Sequence, residues 1–598
     1  MKTQKYAVNQ YLLESILAKV REGEIAIPEI QRPFVWDASQ VRDLLDSLYQ
    51  GFPVGYLIAW RNPDVKLKDG TLAAGKMILI DGQQRVTALT AAVVGQQVIN
   101  KEYRKTRITI AFHPIEEKFE VWNQAIARDA SWIPDVSPLL NGDLKLTRAI
   151  RKFLEANPEA DEDKVEESLS SLSDITKKQI GLIELSHDLD IETVTEIFIR
   201  INSKGTVLSQ ADFAMSKIAA DQHYGGPELR KAIDYFCHMA VAPEFYGQIK
   251  EVDTEFAASD WFQKMAWLKN ENDDLYDPSY TDLLRVAFAT EFGRGKLSDL
   301  VSLLSGRNFA TKQYEDIIAE DSFRRLGDGV RRYMNETHFK RFVMIIKSAG
   351  FISAVMVRSQ NALNFGYTLY LRLRAQGVEE MLIEHYVRRW FVLSILTGRF
   401  SGAAETQFER DTRLIEEPDF GSALARIEQA ELSPAFWEFG LVQSLEVAAT
   451  SHPLFWVFIA AQIKAGDTGF LSRDVTVRDM VVHLGDIHHI FPREHLKRAG
   501  LQRAQYNQIG NYAYTQDSIN IKIGSQAPNA YFAAVRTQCD GGPVKYGAID
   551  DHSVLSANLA AHCVPEAVFE MDAGRYEEFL TQRRQLMAAK IRAYYAAL

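Results

Sequence analysis

Three cysteines in 598 residues, Cys237, Cys539 and Cys563, are too few and too scattered for a zinc-binding spacing or a disulfide framework. A reducing cytoplasm is therefore the expected compartment. No apolar run is long enough to span a bilayer, so no contact with a membrane is expected. The opening residues MKTQKYAVNQ are polar and lack the apolar core of a signal peptide. The pattern G-x-x-x-x-G-K-[ST] is missing, which excludes a P-loop enzyme. Basic charge is not in excess either: 68 Lys and Arg face 79 Asp and Glu, for a formal net charge of −11. That excludes a chain coated in nucleic-acid-binding charge. A local basic groove remains open, because phosphate contact depends on patches rather than totals. Internal repeats and low-complexity segments are absent. The nearest thing to a charged linker, EANPEADEDKVEE from Glu155 to Glu167, reads as a solvated loop and helix start.

What is present is ordinary globular material, 46% apolar and 25% charged. The length suggests about three to four domains. Near the N-terminus, Met77 to Ala92 (MILIDGQQRVTALTAA) combines an apolar strand, an Asp81-Gly82 break and a helix start. A strand, a tight turn and a helix N-terminus gather backbone N–H groups at one point, which suits a phosphate. Arg85 adds a forked cation. Asp81 could hold Mg²⁺ or a ribose hydroxyl. An ordinary strand–turn–helix with a surface arginine reads the same way.

Several neighbouring stretches share this texture. Gln10 to Glu22 has a helical apolar rhythm, and Glu24 to Pro28 reads as a short strand. Two prolines make Pro28 to Asp37 a rigid loop that carries Gln31 and Arg32. Asp37 or Ser39 caps a helix running to Tyr49, and strands are expected at Tyr56 to Trp60, Arg107 to Phe112 and Gln179 to Leu185. A helix from Asp190 to Arg200 leads into Ile201-Asn202-Ser203-Lys204-Gly205, and Ser209 with Asp212 signals the next helix start. From about Ala214 to Thr450 the periodicity is almost wholly helical, with segments at Arg324 to Met334, Glu336 to Ala349, Ile352 to Ser359 and Gly377 to Thr397. Its aromatic stripes are expected to be core. Arg388-Arg389 is expected on a solvated face, and Arg399 in a Gly-flanked basic loop.

The texture changes again after Pro453. Three of the 13 histidines, His488, His489 and His495, fall within eight positions in DIHHIFPREH. In an extended segment adjacent side chains point to opposite faces, so two neighbouring imidazoles can take different work. One can ligate a divalent cation while the other accepts a proton from water. A polar loop with incidental histidines remains the plain alternative. Asn511 lies in Gln508 to Thr515, which looks like a turn into a strand, Asn520 follows within Ser518 to Gly524, and a last helix carries Arg583, Arg584, Lys590 and Arg592.

HHIFP, then Asn511, then Asn520 nine positions on, resembles the HNH nuclease motif. That resemblance implies a ββα-metal site with His489 as general base. It makes His488 and Asn520 metal ligands, and gives Asn511 the task of holding the first strand. Which adjacent histidine takes which role is open, and His495 is the rival ligand. Gly82-Gln83-Gln84-Arg85-Val86-Thr87-Ala88 has the GxxRxxA form of ParB-like nucleotide-binding folds. IPEIQRPFVW, DGQQRVTAL and FIRINSKGTVLS occur in the order seen in GmrSD-type proteins, and RFSGAAETQFERD looks like their middle region.

The chain thus resembles a GmrSD-type, modification-dependent (type IV) restriction enzyme. The implied fold is α+β and multidomain: a ParB-like α/β NTPase domain over 1–215, a largely helical middle region over 216–450, and an HNH domain over 451–598. The resemblance implies an NTP pocket in which Arg85 and Arg32 contact phosphates and Asp81 holds a metal or water. Gln31, Gly82, Gln83 and Gln84 would line it, and Arg200 and Asn202 would close it. The implied cofactors are Mg²⁺ or another divalent cation and an NTP of undetermined base. The implied partner is double-stranded DNA, modified and foreign, and a homo-oligomer is left open. Rival readings are a nucleotide-sensing DNA-binding regulator with a non-catalytic HNH region, and an RNA-cleaving toxin.

Overall fold

The computed structural model describes residues 5–26, 36–61, 77–99, 105–186, 189, 193–194, 209–221, 223–483 and 485–598. Two compact units divide the chain, Met1–Pro227 and Glu228–Leu598. The described architecture is mixed α and β, mostly helical, with one substantial sheet in the first unit.

In the first unit, strand β1 (Tyr6–Leu12) precedes helix α1 (Leu13–Arg21). The apolar rhythm suggests helix from Gln10 onward, but Gln10 to Leu12 are extended. They pair with a distant segment, Gln10 opposite Gly181 and Leu12 opposite Gln179. Long-range ladder bonds override local periodicity here. Next come β2 (Ile25–Ala26) and α2 (Ala38–Tyr49). Asp37 caps α2, its side chain accepting from the Gln40 backbone N–H while Gln40 returns a bond to the Asp37 N–H. The apolar face of α2 (Val41, Leu44, Leu45, Leu48) is buried.

β3 (Leu57–Arg61), β4 (Met77–Asp81), helix α3 (Gln83–Leu89) and β5 (Gln179–Leu185) complete the frame. The sheet order is β1-β5-β3-β4-β2. The β1–β5 and β3–β4 pairs are antiparallel, and β5–β3 and β4–β2 are parallel. Leu57, Ala59, Leu79 and Leu182 share one apolar cluster with Leu13, Ile16, Leu45 and Val86. Burial on this scale supplies the dominant folding free energy. The strand expected at Arg107 to Phe112 lies at Ile110–His113 and pairs with Lys118–Val121. Ser209 and Asp212 form a capping box at the start of Gln210–Ala220. Gln31, Arg32, Arg200 and Asn202 lie outside the described residues, as does the helix expected from Asp190 to Arg200 except for Thr193 and Val194.

The second unit begins with packed helices. α4 (Tyr280–Phe292), α5 (Gln360–Ala375) and α6 (Glu380–Leu396) surround a buried polar chain. Tyr333 donates to the Tyr276 hydroxyl (2.9 Å), Tyr276 to Asn364 (2.8 Å), and Asn364 to Asp282 (2.6 Å). Such a chain is tolerated because every member finds a partner. The helix expected at Ile352 to Ser359 is only a turn, Ala354–Met356. There Ser359 instead caps α5, accepting from the Ala362 N–H. Arg388 and Arg389 are not on a solvated face: Arg389 pairs with Glu428 at 2.7 Å and stacks 4.7 Å from the Tyr595 ring centre. Arg399 is likewise buried, gripping Asp411 through Nε (2.7 Å) and Nη2 (2.6 Å) and also bonding Glu431. It is a strut between helices, with each of its three guanidinium nitrogens bonded to a carboxylate.

Helix Pro453–Ala465, nearly all buried, packs against both α6 and a helix near the chain's end. A second apolar cluster then encloses Phe470, Ile490, Phe491, Ile519, Tyr531, Phe532 and Phe579. Its elements are β6 (Asp486–His489), β7 (Tyr512–Thr515), α7 (Asp517–Ile523) and α8 (Tyr576–Ala596). Among the described residues no helix is long and apolar enough to cross a membrane.

Candidate functional site

β6 and β7 pair antiparallel, with Asp486 opposite Thr515, His488 opposite Ala513 and His489 opposite Tyr512. Period-two alternation puts Asp486 and His488 on one face and His489 on the other. Ile490 and Phe491, both fully buried, then anchor the exit from β6. Tyr531 donates to the Ile490 carbonyl at 2.8 Å, and the Phe491 ring packs 4.6 Å from Phe579.

Asn511, with no exposed surface, ties the start of β7 to the end of β6. Its Oδ1 accepts from the Phe491 N–H (2.8 Å), and its Nδ2 donates to the carbonyls of Phe491 (3.0 Å) and Tyr506 (3.2 Å). Its own carbonyl accepts from the Ile490 N–H at 2.8 Å.

Across this hairpin, α7 brings Asn520 to the first face. His488 Nδ1 lies 2.6 Å from Asn520 Oδ1, and Asn520 Nδ2 donates to Asp486. The carboxylate can only accept, so it fixes the amide orientation. The Asn520 oxygen then faces the imidazole and selects the tautomer with hydrogen on Nδ1. The His488 ring stacks on Phe470 with centres 5.8 Å apart, and its Nε2 is buried without a partner. Burial drives its pKa down to about 4, partly opposed by the Asn520 bond, so the imidazole is neutral at pH 7.

On the opposite face His489 is half-buried. Its Nε2 lies 3.0 Å from Asn507 Oδ1, and its ring meets Tyr512 edge-on at 4.9 Å. An amide oxygen at Nε2 selects the Nε2–H tautomer, which leaves the Nδ1 lone pair as the basic atom. Burial lowers the pKa of His489 and keeps it unprotonated at neutral pH. His495 stands apart on helix Arg493–Arg498, with Asp572 and Arg498 as its charged neighbours.

The donor set at the first face is one imidazole, one amide oxygen and, next to it, the Asp486 carboxylate. Among the described residues no three His, Cys, Asp or Glu converge on one point. That set does not fit a closed structural zinc centre. It does fit a single hard cation that keeps several waters for exchange with phosphate oxygens. Asp486 and Asn507 were missed by the motif. The signal for Asp486 was its i, i+2 spacing from His488 on a strand; Asn507 carries no local signal.

The first unit holds the other cluster. Gly82 (φ +90°) sits between β4 and α3 and supplies no side-chain cap. A Cβ there would lie 2.3 Å from Leu57 Cδ2, so glycine is required by contact as well as by backbone. Arg85 reaches back to Asp81 (Nη2–Oδ2, 3.0 Å) and across to the Val54 carbonyl (Nη1–O, 2.8 Å). Gln83 donates to the Leu79 carbonyl at 3.1 Å, and Gln84 is half-buried on the first helical turn. The structure thus brings Asp81, Gly82 and Arg85 together as a clasp closed on the Val54–Gly55 loop. The expected pocket partners Gln31, Arg32, Arg200 and Asn202 lie outside the described residues. The guanidinium is already half-engaged, and its charge is balanced by Asp81.

Comparison with known proteins adds two findings. Residues 13–219 match the family model described as GmrSD restriction endonuclease, N-terminal domain. The uncharacterized protein MJ0686 of Methanocaldococcus jannaschii is 20% identical over 601 residues, covering 94% of this chain and 92% of that protein.

Proposed function

On the premise that residues 13–219 are a GmrSD restriction endonuclease N-terminal domain, we propose that the protein is an NTP-regulated, divalent-cation-dependent DNA endonuclease. The match of residues 13–219 to the N-terminal domain of a restriction endonuclease family supports DNA cleavage. The cleaving centre in this reading is an HNH-type, ββα-metal arrangement built from β6, β7 and α7. The observation that carries it is the meeting of His488 with Asn520, 32 residues away in sequence, on one side of a hairpin whose other side presents His489.

His489, neutral and oriented by Asn507, takes a proton from water at Nδ1 as that water approaches phosphorus. Asn511 holds β6 at its exit and so fixes where His489 stands. His488 and Asn520 would hold the cation. When bound there, Mg²⁺ or a similar ion would supply charge stabilisation for the phosphate and for the departing oxygen. Asp486 accepts from the Asn520 amide and turns its oxygen toward His488 Nδ1, so a cation held by those two atoms would require the imidazole proton to move to Nε2.

In the first unit, Asp81, Gly82, Gln83, Gln84 and Arg85 form one wall of an NTP site, with Gln31, Arg32, Arg200 and Asn202 as its remaining residues. Nucleotide binding there shifts the population between restrained and cleaving states. A bound phosphate would compete with Asp81 for Arg85, which gives the clasp two alternative partners. The substrate is double-stranded foreign DNA carrying modified bases or backbone. Cleavage of modified against unmodified phage DNA by the purified protein, with each of the four NTPs, tests this. Preferential cutting of modified DNA that depends on one NTP supports the reading; equal cutting of both DNAs, unaffected by any NTP, rejects it.

A further inference from the structure

Arg583 is fully buried on α8, yet among the described residues no carboxylate pairs with it. It donates instead to three backbone carbonyls: Nε to His562 (3.1 Å), Nη1 to Gly510 (2.8 Å) and Nη2 to Tyr512 (2.8 Å). A cation without a counter-charge is expensive to bury. An apolar side chain would avoid that charge but would take the donor away from all three carbonyls. What the guanidinium supplies is geometry: a planar fork whose two ends reach the carbonyls immediately before and after Asn511.

Between those two carbonyls the Asn511 side chain reaches Phe491 and Tyr506, which α8 also touches through Phe579 and Tyr576. The approach is close, because a Cβ on Gly510 would sit 3.2 Å from Leu580 and 3.5 Å from Arg584 Cγ. The adjacent Arg584 bonds the Gln508 side chain at 3.3 Å, so α8 grips the loop at a further point.

We propose that Arg583 is a positioning residue for DNA cleavage, which clamps the two peptides around Asn511 and through them holds the end of β6 that carries His489. This rests on the nuclease reading of His489. A lysine cannot reproduce the clamp, because one ammonium lacks a planar fork for two carbonyls in fixed directions.

The test uses the full chain with R583K and R583Q, and H489A as the reference for the nuclease reading. Nicking of plasmid DNA with Mg²⁺ is followed at a temperature well below the lowest Tm. Amide exchange at Ile490 and Phe491 is followed alongside. Both variants are expected to lose roughly tenfold to a hundredfold in kcat, the scale of a small misplacement of a reacting group. KM for DNA should stay within about twofold, and exchange at Ile490 and Phe491 should accelerate. Adding R583Q to N511A should cost little more than N511A alone, because both act through one connection. Wild-type kcat with unchanged exchange in R583K and R583Q overturns the proposal, as does full rescue by lysine, which would reduce the requirement to charge. Undiminished nicking by H489A would instead remove the nuclease reading, and the exchange data would still decide the clamp.

Discussion

Replacing Asn511 by alanine should damage the hairpin out of proportion to the atoms removed. Asn511 has no exposed surface and makes three side-chain bonds, one accepted from the Phe491 N–H and two donated to the carbonyls of Phe491 and Tyr506. Removing it strands the buried Phe491 N–H, at about 1–3 kcal/mol, and forfeits two further bonds at about 1 kcal/mol each. A local loss of about 3 kcal/mol follows, large against the total stability of a domain. Asn511→Asp should be worse, because it keeps the acceptor for Phe491 but turns a carboxylate toward two carbonyl oxygens. Global melting blends both units, so the suitable assay is residue-resolved amide exchange at Ile490, Phe491 and Tyr512. The expected result is exchange faster by about a hundredfold, which is what 3 kcal/mol of lost protection gives. Exchange within about twofold of wild type in both variants would refute the view that Asn511 ties β6 to β7.

Three other outcomes follow from the geometry. Gly82→Ala should destabilise the first unit by about 2–4 kcal/mol, because it combines a left-handed backbone with a Cβ 2.3 Å from the buried Leu57 side chain; unchanged chemical denaturation would contradict this. The folded protein holds His488 neutral down to about pH 4, whereas an unfolded imidazole protonates near 6.5. The unfolded state therefore binds more protons in this window, and about 3 kcal/mol present above pH 6.5 is lost as pH falls toward 4. Denaturation of wild type and His488→Asn at pH 7 and pH 4.5 checks it, and the variant should show the flatter dependence. Arg85→Ala should cut NTP turnover at least tenfold by removing both the phosphate-facing fork and the partner of Asp81; unaltered turnover would remove Arg85 from the nucleotide site.

Features set by short-range chemistry were legible in the sequence. The cap of the helix after Asp37 (Asp37, of the two candidates Asp37 and Ser39), the Ser209–Asp212 capping box, the Asp81-Gly82 break and the helices Asp316–Tyr333, Glu336–Ser348 and Glu380–Leu396 all depend on contacts a few residues apart. Asn511 stood where the motif suggested a brace, and its bonds to Phe491 have that form. Features set by distant partners were not legible. Strand β1 is extended only because β5 lies beside it, some 170 residues later. Arg399 looked like a basic loop residue because Asp411 and Glu431 meet it only in three dimensions. Arg583 read as one more cation on a last helix, and nothing local reveals that three carbonyls converge on it. Asn507 faces His489 from a loop whose path the sequence does not encode in any periodicity.

The central claim is that His489 activates water for DNA cleavage, and plasmid nicking by wild type and His489→Ala tests it most directly. With Mg²⁺ and an NTP, the wild-type protein should nick or linearise modified plasmid DNA, and the variant should lose at least about a hundredfold in rate while retaining its Tm and its NTP turnover. Equal cleavage by the two proteins would contradict the account.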